Sequence, residues 1–117
     1  MNRIDDVIHG RVRLGIIAYL ARVDAADFKE LVTLLETTAG NLSVHLRKLE
    51  DAGYIRVSKS FISRKSLTRA SITTRGRAAF MTYLEEVRSL VDAHARAAVP
   101  LDRAVAGTSA GSKRKRA

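Results

Sequence analysis

Residues 54–77 carry seven basic side chains and no acidic one. A segment of that kind suits a polyanion, because each phosphate that a Lys or Arg neutralises releases condensed counterions. Lys59, Arg64, Lys65 and Arg69 lie within or beside a stretch rich in β-formers, and Arg75 and Arg77 follow it. Just before this block, Thr38, Gly40, Asn41, Ser43, Val44, Arg47 and Lys48 offer small and polar groups with two cations among them. Asn pairs well with an adenine edge, Arg or Lys with guanine or phosphate, and an apolar side chain with a thymine methyl. The chemistry on offer is recognition of nucleic acid.

Catalysis has much less to work with. The chain has no Cys, which removes thiolate nucleophiles, thiolate metal sites and disulfides. Among the three imidazoles, His9, His45 and His94, no two stand at ligand spacing. Asp5 and His9 sit one helical turn apart but bring no further ligand, and the adjacent Glu85 and Glu86 point to different azimuths. No glycine-rich phosphate loop and no nucleophile with a base at hand is present. The expectation is a protein that is not an enzyme and that uses no cofactor and no metal.

Composition sets the scale. With 117 residues, 46% hydrophobic and 28% charged, the chain is long enough for one globular domain. Its net charge of +9 is local, since residues 1–53 and 78–106 are nearly balanced while residues 107–117 add Lys113, Arg114, Lys115 and Arg116 without an acid. No apolar run approaches the roughly 18 residues of a membrane span. The opening Met1 to Asp6 lacks the apolar stretch of a secretory signal. A soluble, cytoplasmic protein without membrane contact is expected.

The elements follow from periodicity. Apolar residues from Ile4 to Val23 recur at helical spacing and predict one long or kinked first helix, with Gly10 and Gly15 as its weak points. Asp27 and Glu30 form a capping pair for a second helix that runs to about Leu35. After the connector Glu36-Thr37-Thr38, Thr38 caps a third helix that ends by Gly53 and buries Leu42, Leu46 and Leu49. The segment Tyr54 to Phe61 reads as a strand, Ala70 to Thr73 as its short partner, and Ile62 to Arg69 as the loop between them. Thr73 caps a last helix that stops before Pro100, its apolar stripe formed by Phe80, Tyr83, Leu84, Val87, Leu90 and Val91 with His94. Residues 1–100 form one domain in this reading, and 101–117 a flexible basic tail that adds nonspecific DNA affinity.

Two helices joined by a short turn and followed by a basic hairpin are the parts of a winged helix-turn-helix. The fold class is therefore mainly α with a small β-hairpin and long N- and C-terminal helices. The segment Asn41 to Ile55 resembles the recognition helix and following strand of bacterial MarR- and ArsR-like regulators. Asp6 to Leu14, Phe28 to Leu31 and Ile72 to Arg77 extend the resemblance to a compact subfamily of stand-alone winged-helix DNA-binding proteins. It covers about residues 4–98, although Ser63, Ser66 and Leu67 interrupt the Arg- and Pro-rich wing usual in the family. The resemblance implies a dimeric, sequence-specific transcriptional regulator of double-stranded DNA. The last helix's stripe, helped by Ile4 and Ile8, is the expected homodimer contact, because it would stay partly exposed on a monomer. MarR-like relatives often sense small molecules, so an unidentified effector is a further expected partner. A winged-helix protein-assembly module and a nonspecific nucleoid-associated protein are the alternatives.

Overall fold

The computed structural model describes residues 4–98. Its elements in chain order are α1 (Arg11–Val23), β1 (Ala25–Asp27), α2 (Phe28–Leu34), α3 (Ala39–Asp51), β2 (Ile55–Ile62), β3 (Lys65–Ile72) and α4 (Thr74–Ala98). The three strands form one antiparallel sheet in the order β1-β3-β2. Two compact units divide the chain, Met1–Glu86 and Val87–Ala117, and all of α1 to β3 belongs to the first. The basic-tail reading of 101–117 lies outside the described residues.

The first helix is shorter than its periodicity predicts. Asp5 accepts a hydrogen bond from the Val7 amide through Oδ1 (2.8 Å), and a single turn closes from the His9 amide to the Asp5 carbonyl (2.8 Å). Gly10 then takes φ +137°, a value outside the right-handed helical region, so α1 begins afresh at Arg11. A side chain competing for backbone amides and a glycine free to turn the other way interrupt what the apolar spacing alone reads as continuous.

The second and third helices follow their caps. The Asp27 carboxylate accepts from the Glu30 amide (2.8 Å) and Glu30 reaches back to the Asp27 amide, so the capping box is complete. Thr38 Oγ1 accepts from the Asn41 amide (3.1 Å) at the start of α3. Leu42 and Leu49 are fully buried and Leu46 nearly so, against Ile16, Ile17 and Leu20 of α1 in the same core. At the far end Gly53 has φ +81°, and the Tyr54 amide bonds back to the Leu49 carbonyl (3.0 Å), closing α3 as its position predicts.

The sheet departs from expectation in two places. β1 was not predicted, because three residues containing two alanines carry no strand signal; it pairs Ala25, Ala26 and Asp27 with Ser71, Ala70 and Arg69 of β3. The hairpin is also longer, and its loop is two residues rather than eight. Ser63 and Arg64, at φ 53° and 68°, make the turn, and Ile62 pairs directly with Lys65. Lys65 and Arg69 therefore stand on a strand instead of a loop. A tight turn of this hand favours Asn-Gly or Asp-Gly, so Ser-Arg gave no cue.

Thr73 caps α4 as expected, accepting from the Gly76 amide (2.9 Å) while its hydroxyl donates to the Gly53 carbonyl (2.7 Å). Two residues read as dimer contacts are interior instead. Ile8 is 0% and Tyr83 4% exposed, and the Tyr83 hydroxyl lies 3.0 Å from His9 Nδ1, so both serve the chain's own core.

Candidate nucleic-acid interface

The leucine stripe of α3 fixes what its other side presents. With Leu42, Leu46 and Leu49 turned inward, Gly40, Asn41, Ser43, Val44, Arg47 and Lys48 are all exposed, and Thr38 stands exposed as the cap in front of them. Val44 is more than half exposed, at 55%. No acid occurs on α3 before Glu50, so the first turns of the helix offer only amides, small polar groups and cations.

Gly40 needs its missing side chain for nothing inside the chain. A Cβ built there meets no atom within 4 Å. Glycine within a helix is less stable than alanine by roughly 0.5–1 kcal/mol, so its presence fits close approach of something from outside. Gly40→Ala is expected to raise the unfolding midpoint slightly and to weaken binding to duplex DNA. Calorimetry and fluorescence anisotropy on one preparation read both effects, and unchanged affinity would show that nothing approaches the backbone at this position.

The wing stands beside α3. A cleft of about 380 Å3 is lined by Ser43, Arg47 and Glu50 of α3, by Phe28, and by Val57, Lys59 and Thr68 of the hairpin. Arg47 and Lys59, far apart in sequence, thus share one groove. Strand side chains alternate between faces, and the register places Lys59 opposite Thr68 on this groove face and Arg69 opposite Ser58 on the other. Lys65 lies on the same face as Arg69, and Arg64 is at the turn. Arg56, which the sequence reading did not single out, is exposed on the Arg69 face and sits diagonally across from it. Its place as the first cation of the acid-free block 54–77 is the signal that could have found it. Among the described residues, none of Arg56, Lys59, Arg64, Lys65 and Arg69 has a carboxylate within salt-bridge distance.

Arg75 and Arg77 stand apart from this group. The Arg75 side chain packs beside Gly53 at the closing turn of α3, about 20 Å along the helix from Gly40. Arg77 donates to the Ala21 carbonyl (2.9 Å) and pairs with Asp24, so its guanidinium ties the start of α4 to the end of α1. The guanidinium expected to meet phosphate thus has partners within the chain itself.

Two polar ties position α3, and periodicity does not reveal either. Arg13 donates to the Val7 carbonyl (2.7 Å) and, through Nη1, to His45 Nδ1 (3.1 Å). A guanidinium only donates, so Nδ1 accepts and the His45 proton resides on Nε2. Partial burial, followed by the charges of Arg13 and Lys48, holds the imidazole below its ordinary value of 6.5. The other tie runs from the Tyr54 hydroxyl to Asp5 Oδ2 (2.6 Å); this bond, helped by burial, pushes the phenol up to about 12.

The His45 shift has a consequence for stability. The folded chain takes up this proton less readily than the unfolded chain, so the His45 contribution to stability is flat above pH 6.5 and falls as the pH drops through that value. The loss levels off once the folded imidazole is protonated too. His45→Gln, which keeps an acceptor for Arg13, is expected to shrink the difference between urea midpoints at about pH 8 and about pH 5. An undiminished difference would assign the acid sensitivity to other groups.

A short helix pair, an exposed polar helix face and a cationic hairpin beside it make one surface, and comparison with known proteins bears on its class. The profile of winged helix DNA-binding domains matches residues 12–91, more than half of the chain. The chain belongs to the winged helix DNA-binding domain family. An uncharacterized protein of Methanocaldococcus jannaschii is 37% identical over 84 residues, covering 72% of this chain and 91% of that one. A transcriptional regulator homologue of Pyrococcus horikoshii has a similar solved structure, with TM-score 0.69, 30% identity, and coverage of 74% of this chain and 86% of that chain. The fold also matches a MarR-family regulator of Silicibacter pomeroyi, with TM-score 0.57, 20% identity, and coverage of 84% and 65% respectively. This winged-helix chain is accordingly a transcriptional regulator in type, with DNA as its partner, and its family is one of DNA-binding proteins rather than enzymes. No helix among its described residues is long and apolar enough to cross a membrane.

Proposed function

We propose that this winged-helix protein reads specific sequences in double-stranded DNA as a homodimer, with α3 in the major groove and the hairpin wing on the backbone or minor groove. The observation that carries the reading is the shared cleft in which Arg47 of α3 and Lys59 of the wing stand together, with Glu50 on its wall, next to the exposed turns of α3 that carry no acid before Glu50. A helix fits the major groove, which is about 12 Å wide. In that placement Asn41, Ser43 and Val44 face base edges and Arg47 or Lys48 meets guanine or phosphate, while Thr38 and Gly40 bring the helix start close to the backbone. The wing cations meet phosphates.

Support for the dimer comes from apolar side chains that the described residues leave uncovered. Met81 is 63% and Leu84 43% exposed in the first compact unit, and Leu90 is 51% and Val91 58% exposed in the second. Phe80, Val87 and Ile4 are half-buried and His94 is exposed. A two-fold dimer of such modules places its half-sites one helical turn apart, about 34–36 Å. The proposed site of action is chromosomal DNA in the cytoplasm.

Selection of bound sequences from a random duplex pool tests the reading, with anisotropy at low and high salt as its quantitative arm. The expected result is a two-fold symmetric sequence bound with steep salt dependence. Equal binding to all sequences would replace the reading with nonspecific coating of DNA, and no binding to any duplex would leave α3 as a surface for a protein partner. Sedimentation equilibrium at twice 12.9 kDa is the expected mass of the free protein.

A further inference from the structure

The wing tip carries an oddity that phosphate binding does not explain. Of the six aromatic residues in the chain, Tyr19, Tyr54, Phe28 and Phe80 are half-buried and Tyr83 is buried, whereas Phe61 is 78% exposed. Its neighbour Ile62 is 59% exposed. Both lie on the last two rungs of the hairpin, Phe61 opposite Ser66 and Ile62 opposite Lys65, immediately before the two-residue turn. A serine across the ladder gives the ring almost no cover. The chain therefore holds its one exposed aromatic ring at the extremity of its most cationic element.

We infer that Phe61, seconded by Ile62, is an apolar wedge that enters the minor groove of the bound duplex and partly opens one base step, so that the wing selects steps that deform easily. The inference rests on the reading of this chain as a duplex-DNA binder and assigns the wing a part in specificity.

Three observations favour DNA over another apolar partner. Phe61 shares a strand face with Lys59, two residues back, and Lys59 lines the cleft with Ser43 and Arg47 of α3. At about 3.4 Å per residue the ring stands roughly 7 Å beyond that cleft, still on the side turned to the recognition helix. Cations also occupy both faces of the hairpin around the tip, with Lys59 on the Phe61 face, Lys65 on the Ile62 face and Arg64 in the turn, and no acid occurs anywhere in residues 54–77. Such an arrangement straddles two phosphate strands with an apolar group between them. The third observation concerns size. The minor groove is about 6 Å wide, too narrow for a two-stranded ribbon but wide enough for side chains from its tip.

The chemistry follows from stacking. Apolar side chains that wedge between base pairs unstack one step, at a cost lowest for the flexible pyrimidine–purine steps TA and CA/TG and high for stiff A-tracts. The ring then stacks on the exposed base, an interaction that accepts any base but demands an opened step. Discrimination arises without a hydrogen bond to any base edge.

The test uses the full chain and the duplex recovered by selection, with 2-aminopurine placed singly at each position beneath the wing. Wild-type protein is expected to raise the probe's fluorescence at one position per half-site and to prefer TA or CA/TG over AA there. Phe61→Ser is expected to bind about tenfold more weakly, to give no fluorescence rise and to lose the step preference, while Phe61→Leu retains part of all three. Its unfolding midpoint should match wild type, because the residue is exposed. If wild type binds the duplex tightly but Phe61→Ser matches it in affinity and step preference, the wedge is wrong and the DNA-binding reading stands. If wild type binds no duplex, both fall. A lower sedimentation mass for Phe61→Ser would mean that the ring covers a second copy of the chain, and would also overturn the wedge.

Discussion

Replacing Arg64, Lys65 and Arg69 together by alanine should lower the affinity of this winged-helix protein for duplex DNA on the order of 10²- to 10³-fold near 0.1 M salt. Each phosphate contact on B-DNA contributes a slope of about −0.9 in log affinity against log salt, close to a decade per contact at that ionic strength. Three lost contacts flatten the slope by about 2.7. The fold should tolerate the change, because all three side chains are exposed and, among the described residues, none has a carboxylate within salt-bridge distance. The turn adds one condition. Arg64 holds φ +68°, so Arg64→Gly or Arg64→Asn is the safer single replacement where hairpin register is a concern.

Net charge alone predicts part of this loss, and a matched control separates the two causes. Arg22 and Lys29 are exposed cations on α1 and α2, outside the wing and outside the polar face of α3. Their joint removal takes away two charges where the wing triple takes three, and should cost less affinity per charge removed, with little change in slope. An equal loss per charge from both sets would mean that the chain is held by its overall field, and the wing would have no special part. Salt titration by anisotropy measures all of these quantities on the same duplex.

What the sequence disclosed about this surface depended on the range of the interactions involved. α3 was legible because its signals are local. A threonine cap, leucines at positions 42, 46 and 49 and a glycine at position 53 each declare themselves within a few residues. The same holds for the Asp27–Glu30 capping box and for the Thr73 cap. The wing was legible as charge but not as geometry, since an eight-residue loop and a two-residue turn hold the same cations. Only pairing fixed Lys65 and Arg69 on a strand and turned Lys59 toward α3. Long-range ties were silent. Arg77 reaches Asp24 across 53 positions and Arg13 reaches His45 across 32, and nothing in either neighbourhood distinguishes an arginine bound for a carbonyl or an imidazole from one bound for phosphate. Ile8 and Tyr83 were misassigned to a dimer contact for a related reason. Periodicity identifies an apolar face but not which of its residues the chain's own core consumes.

The largest effect on stability is expected from a single methyl group at Gly76. This glycine lies in the first turn of α4, and its amide donates to the Thr73 hydroxyl that also bridges to the Gly53 carbonyl. A Cβ built there falls 2.1 Å from the Tyr54 carbonyl oxygen and 3.1 Å from an Ile72 side-chain carbon. The obstructing group is backbone, and it is already fixed by the hydrogen bond it accepts from the Thr73 amide (3.0 Å). Relief therefore requires moving either the start of α4 or the junction of α3 with β2, which sets the wing's base. Gly76→Ala should destabilise the fold by about 3 kcal/mol, at the upper end of overpacking costs and well beyond the helix-propensity gain of up to about 1 kcal/mol that alanine brings. Gly15→Ala makes the instructive comparison. Its Cβ meets only the Leu35 side chain, at 2.6 Å, and a leucine tip can rotate away. Urea titration of the two variants beside wild type should rank Gly76→Ala far below Gly15→Ala. The reverse order would mean that α4 does not press on Tyr54, and the account of how the wing is anchored to the recognition helix would have to be abandoned.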